Sequence, residues 1–137
     1  MAKLLNKGVS PDTRDSAGYC ALHYAARAGH DRICRYLLTA GAAVDAVTRA
    51  GQATALHRAS SAGHDTVVSL LLKCGSNSGL RDVDGKTALH RAVEQGHVNT
   101  VKILLEANSD LKFIVDLKEK LPLDYAAKNE ELLALLA

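Results

Sequence analysis

The stretch Gly85-Lys-Thr-Ala-Leu-His-Arg-Ala-Val-Glu-Gln-Gly96 decides how the rest of the chain is read, because it occurs more than once. Upstream stand Gly18-Tyr-Cys-Ala-Leu-His-Tyr-Ala-Ala-Arg-Ala-Gly29 and Gly51-Gln-Ala-Thr-Ala-Leu-His-Arg-Ala-Ser-Ser-Ala-Gly63. A degraded copy, Leu121-Pro-Leu-Asp-Tyr-Ala-Ala127, follows downstream. The histidines of the intact copies, His23, His57 and His90, stand 34 and 33 residues apart. A recurrence at that period makes the chain a row of similar small units, none able to bury its apolar face alone.

The Thr-x-Leu-His-x-Ala core at a period of about 33 residues resembles the ankyrin-repeat family, and the resemblance covers nearly the whole chain. It implies an all-α repeat solenoid of ankyrin repeats, each a helix-turn-helix plus a β-hairpin loop, with three full repeats and partial or atypical terminal units. On that register residues 1–13 end a truncated repeat, 14–46, 47–80 and 81–112 form repeats one to three, and 113–137 form a degenerate capping repeat. All belong to a single domain, 1–137.

Within each unit the local chemistry agrees with this register. The run from Ala21 to Ala28 reads as a short helix stopped by Gly29, which takes the left-handed conformation that ends helices. A second helix is expected from Asp31 to about Ala40, its apolar Ile33, Cys34, Leu37 and Leu38 falling at helical spacing. Asp31 sits at the end where the helix dipole favours an anion. Repeat two has the same plan, with helices from Ala55 and from Asp65 and one surplus residue between Gly51 and Thr54, expected in the hairpin turn. In repeat three Thr87 is placed to cap the first helix, and Asn108 replaces the closing glycine as a residue able to adopt the left-handed form. Pro122 suits a first helical turn, Asp124 replaces the histidine, and Glu130 to Ala137 reads as one short helix.

Composition narrows the function classes. The chain of 137 residues is 47% hydrophobic and 23% charged, as globular domains are. Its net charge is only +2, so no global attraction to nucleic acid or to an anionic membrane operates. Apolar runs fall far short of the roughly 20 residues that cross a bilayer, and the N-terminus has no secretory h-region. An intracellular location, cytoplasmic or nuclear, is the expectation. Cys20, Cys34 and Cys74 cannot all pair within one chain, and each stands where other repeats carry a small residue, so reduced, packed thiols are expected.

Nothing in the motifs calls for catalysis. All six histidines occupy two register positions, His23, His57 and His90 after a leucine, and His30, His64 and His97 after a glycine. The resemblance implies that the first set bonds the cap threonine and backbone near the next hairpin, and that the second stabilises the turn between helices. Zinc would need ligands converging within about 2.3 Å of one point, whereas residues one repeat apart are about 10 Å apart. Gly85-Lys-Thr87 echoes the end of a phosphate-binding loop, but Leu80 stands where that motif needs glycine. No enzyme, cofactor or metal is expected.

The remaining candidate is surface. In the family, hairpin tips and exposed sides of first helices form a concave face for partners. At those positions stand Arg14, Tyr19, Tyr24, Arg27, Arg49, Arg58, Arg81, Lys86 and Arg91, and seven cations there oppose only Asp84 and Glu94, a net of +5. Two readings of that charge stay open. Arginines keep an exposed face soluble, or they receive an acidic segment of another protein, with guanidinium forks on carboxylates or phosphates and Tyr19 and Tyr24 as anchors. Nucleic acid is not expected, because Tyr19 and Tyr24 alone would serve for stacking. A protein-interaction module is therefore the first reading. The alternative is a structural or self-associating spacer of a longer protein, monomeric or weakly dimeric through the truncated N-terminal end at Leu4 and Leu5.

Overall fold

Leucines at one register position make the rows from which the molecule is built. In the computed structural model, which describes residues 11–137, Leu22, Leu56 and Leu89 are fully buried in one row and Leu37, Leu71 and Leu104 in another. Of the truncated repeat read over residues 1–13, residues 1–10, with Leu4, Leu5 and Gly8, lie outside the described residues. The helices are α1 (Ala21–Ala28), α2 (Asp31–Thr39), α3 (Ala55–Ala62), α4 (Asp65–Lys73), α5 (Ala88–Glu94), α6 (Val98–Ala107) and α7 (Glu130–Leu136). Two 3₁₀ turns, Ser109–Phe113 and Pro122–Tyr125, lie before α7, and no strand forms among the described residues.

First helices α1, α3 and α5 stack in one layer, and second helices α2, α4 and α6 in the next. Pro122–Tyr125 extends the first layer against α5, and α7 packs on α6. Ala25, Ala59 and Ala92, small and buried, let neighbouring first helices approach closely. The hairpin loops make a third row without paired strands. Val83 N–H donates to Gly51 O at 2.9 Å, and Leu117 N–H donates to Asp84 O at 3.0 Å. Repeat two closes its hairpin from Thr48 N–H to Ala53 O, where repeat three closes from Asp82 N–H to Lys86 O, so the surplus residue does sit in the turn.

Helices of seven to ten residues are too short to persist alone. The histidines join them. At the start of α3 the Thr54 hydroxyl accepts from His57 N–H, and Thr54 N–H donates to His57 Nδ1 at 3.1 Å. The same box links Thr87 and His90, and Cys20 N–H donates to His23 Nδ1 at 3.0 Å. Because Nδ1 accepts, the ring proton is on Nε2, and it points forward. His23 donates to Ala46 O at 2.7 Å, His57 to Lys86 O at 2.8 Å and His90 to Lys120 O at 3.2 Å. Each imidazole therefore caps its own helix and fastens the next unit's hairpin region. Burial pushes His57 and His90 below the usual imidazole range, despite the carbonyls that their Nε2–H groups bond.

The second histidine set works across units rather than within its own turn. His64 Nε2 donates to Arg27 O and His97 Nε2 to Ser61 O, both at 3.0 Å, so each ring reaches back over the preceding helix end. The rings leave no room for a side chain beneath them. A Cβ at Gly29, where φ is +76°, would meet His64 Nδ1 at 2.6 Å, and one at Gly63 would meet His97 Nδ1 at 2.7 Å. His30, at the same register, is exposed.

Two local expectations are corrected, for Asn108 and for Cys74. Asn108 does not take the left-handed form; at φ −158° it is extended, and its side chain accepts from Asp110 N–H at 3.1 Å to start a 3₁₀ turn. Pro122 does stand in a first helical turn, that of a four-residue 3₁₀ helix. Cys20 and Cys34 are buried, and burial lifts the Cys34 thiol to about 11, but Cys74 is exposed. Asp124 retains half of the histidine's role: its carboxylate accepts from Leu121 N–H at 2.8 Å but has no proton to pass forward.

One buried group breaks the pattern. Ser60, fully buried where Val93 stands in the next unit, has a hydroxyl without a partner. Ser60→Ala should therefore raise unfolding free energy by about 1 kcal/mol in urea titration. The histidine bonds also set a pH dependence. Folded His57 and His90 resist protonation, so the unfolded chain binds more protons, and their contribution is present above about pH 6.5 and lost as pH falls through their lower folded values. The melting temperature should drop from about pH 7 to about pH 5, and a flat profile across that window would contradict neutral, bonded imidazoles.

Candidate functional site

Each hairpin is organised by the residue at its first turn position. Asp82 Oδ1 accepts from Asp84 N–H at 2.9 Å and Lys86 N–H at 3.0 Å, and its second oxygen accepts from Arg91 Nε at 2.8 Å. Asp15 does the same with the N–H groups of Ala17 and Tyr19 and the Tyr24 hydroxyl. Asp116 does so with the N–H groups of Lys118 and Lys120 and the Tyr125 hydroxyl. Burial would raise the Asp116 carboxyl, but these bonds prevail and hold it at about 2. The Asp116 bond, with burial, pushes Tyr125 up to about 12.

Repeat two departs from this rule. Thr48 replaces the aspartate, and its hydroxyl is used within the loop, accepting from Ala53 N–H at 3.1 Å and donating to Ala50 O at 2.6 Å. Arg58, at the register of Tyr24, Arg91 and Tyr125, thus has no hairpin carboxylate. It turns to the preceding unit, donating through Nη2 to the Tyr19 hydroxyl with its guanidinium carbon 5.1 Å from the ring centroid. Its Nε is closed off from solvent and unbonded.

The structure sorts the cations read from the sequence. Lys86 donates to Glu94 at 3.1 Å and lies 4.6 Å from the Tyr125 ring centroid. Arg91 binds Asp82, Asp84 at 3.0 Å and Glu94 at 3.4 Å. Burial disfavours its charge, yet the Asp82 carboxylate raises its pKa above the ordinary arginine value. Arg14 Nη1 donates to Gly18 O at 2.9 Å and to Val47 O, and Arg49 Nη1 donates to Ser16 O at 3.3 Å, so these two link the first hairpins. Arg27 is exposed 5.7 Å from the Tyr24 ring centroid, and Arg81 is exposed without a partner among the described residues.

Arg58, Tyr19, Tyr24 and Arg27 form one continuous chain of contacts, the two tyrosine centroids being 5.0 Å apart. Among the described residues Arg14, Arg27, Arg49, Arg58 and Arg81 pair with no carboxylate. The sequence groups Lys86 and Arg91 with them because it shows neither that Glu94 is spent on Lys86 nor that Asp82, outside the charge count, takes Arg91. The recurrence of aspartate at 15, 82 and 116, with threonine at 48, was the available signal.

Among the described residues no group of three or more His, Cys, Asp or Glu side chains is placed to hold a metal ion. No helix there is long and apolar enough to cross a membrane.

Stacked helix pairs, a hairpin row and histidine boxes define a repeat protein of one particular kind. A family model described as "Ankyrin repeats (3 copies)" matches residues 1–82 and 65–137, and the chain belongs to the ankyrin-repeat family. Members of that family serve generally as protein–protein interaction modules and are typically without catalytic activity. The chain is similar to the Homo sapiens protein "Ankyrin repeat domain-containing protein 39", 53% identical over 45 residues. That match covers 33% of this chain and 25% of the relative, so it spans a quarter of that protein's length.

The two arginines of repeats two and three should respond differently to neutralisation. Arg91→Gln leaves the buried Asp82 carboxylate short of its partner and should cost about 1–3 kcal/mol. Arg58→Gln breaks no ion pair and should cost well under about 1 kcal/mol. Parallel urea titrations check the contrast, and equal losses would contradict it.

Proposed function

We propose that the surface made by the hairpins and first helices receives an extended acidic segment of another protein. One observation carries this reading: after Lys86 and Arg91 are neutralised internally, five guanidinium groups, Arg14, Arg27, Arg49, Arg58 and Arg81, remain without an internal carboxylate among the described residues. Guanidinium groups fork onto carboxylates in two parallel bonds, which gives direction as well as attraction. Tyr24, 43% exposed and in contact with Tyr19, supplies rigid apolar area beside them. The site carries no stacking series of aromatics along the cations, so single-stranded nucleic acid fits less well. The spacer or self-associating reading is favoured only by the open apolar groove along Ala21, Ala25, Ala28 and Ile33, which an adjoining helix pair would cover.

A fluorescein-labelled decapeptide of glycine, serine and glutamate, followed by anisotropy, tests the acidic reading, with its glutamine counterpart as control. The glutamate peptide should bind, its affinity should fall with added salt, and Arg27→Glu with Arg49→Glu should weaken it by about tenfold or more. Equal binding of the two peptides, or an unchanged affinity in the double variant, would remove the reading.

A further inference from the structure

We infer that the cavity beside Arg58 seats one Asp or Glu side chain of the partner, its carboxylate filling the role that hairpin aspartate plays in the other units. The inference rests on the acidic-segment reading above and names the residue at its centre. Three hairpins place a carboxylate against the residue after the histidine position: Asp15 on Tyr24, Asp82 on Arg91 and Asp116 on Tyr125. In repeat two the acceptor is missing while the donor is the stronger kind, a guanidinium. An unbonded N–H closed off from water, such as Arg58 Nε, costs free energy that a ligand acceptor would recover.

The surroundings favour a carboxylate. A cavity of 240 Å³ adjoins Arg58, bounded by His57 and Ser61 on its own helix and by Asp82, Asp84 and Arg91 of the next unit. At about 30 Å³ per water, it has room for a carboxyl group and the stem that carries it. His57 is committed, since its Nε2–H donates to Lys86 O. Asp82 uses Oδ1 on two backbone N–H groups and Oδ2 on Arg91, and Asp84 also receives Arg91, so that ion group is satisfied within itself. Arg58 is the cation left over. Tyr19, whose oxygen accepts from Arg58, keeps its own proton to donate. Among the described residues the Tyr19 hydroxyl and ring hold the guanidinium and no carboxylate does, so a rotation away from Tyr19 would present Nε and Nη together to an incoming carboxylate. Asp82 and Asp84 on the facing wall oppose a second negative charge, which selects a carboxylate over a phosphate of charge about −1.5 to −2.

Supplying the missing residue in cis makes the test. Thr48→Asp should close an internal pair with Arg58, raising the melting temperature, and should weaken the glutamate decapeptide by about tenfold. Arg58→Gln should weaken it similarly, and adding Thr48→Asp to Arg58→Gln should give no further loss. If both single variants bind the glutamate peptide as the unmodified protein does while Arg27→Glu with Arg49→Glu does not, the seat is wrong and the acidic face stands. If none of these variants lowers affinity, both fall. Should Thr48→Asp fail to raise the melting temperature, the Arg58→Gln measurement decides alone. A phosphoserine version of the peptide that binds as tightly as the glutamate one would overturn the carboxylate assignment.

Discussion

The three units that carry His23, His57 and His90 each depend on an imidazole used twice. Nδ1 of His57 receives the backbone N–H at the start of its own helix, and Nε2–H is donated to Lys86 of the next hairpin. The first bond satisfies a helix end that has no internal acceptor, and the second turns that local cap into a tie between neighbours. Both require the neutral ring in one tautomer. Helices as short as α5, with seven residues, exist because cap, tie and leucine rows are formed together. Stability is then a sum over neighbouring interfaces.

The same economy governs the hairpins. An aspartate such as Asp82 closes its loop with one oxygen and grips the first helix with the other, so loop and helix keep one orientation. The partner of that second oxygen is free to vary between a phenol and a guanidinium because both donate to a carboxylate. When threonine takes the position, the hydroxyl still closes the loop but has no second oxygen for the helix. Repeat two is thus sound as a structural unit and incomplete as a polar one. Departures from an otherwise consistent pattern are expected where a sequence serves binding rather than folding.

Much of the fold was legible because its determinants are local and periodic. Gly29, Gly63, Thr54, Thr87 and the leucine rows mark helix starts and stops within a few residues of themselves, and the structure places α1 and α3 to α5 accordingly. What escaped depends on contacts between units. The reach of His64 over Gly29 joins residues 35 apart, and nothing in the residues next to either announces it. Asn108 does end α6, but its side chain accepts from Asp110 N–H and its backbone is extended rather than left-handed, a choice set by the turn that follows. The charged face shows the same limit. Arg91 and Arg58 look alike in sequence, and only the residue nine or ten positions earlier, Asp82 or Thr48, separates a structural ion pair from an unpaired cation.

The unit around residues 121–127 uses a carboxylate where the preceding units use an imidazole. Asp124 keeps the acceptor that caps its turn and loses the donor that would fasten a following hairpin, while Asp116 and Tyr125 still complete the loop-to-helix bond. A carboxylate at that register therefore retains half of the imidazole's chemistry, the half directed inward. Its hairpin also carries Leu117, 73% exposed, where the earlier loops carry Ser16, Arg49 and Val83. The row of loop tips changes from polar and cationic to apolar along the stack, so a segment lying across it would meet two chemistries in a fixed order. Directional recognition by a repeat protein requires that kind of asymmetry, because identical units would let a bound segment slide by one register.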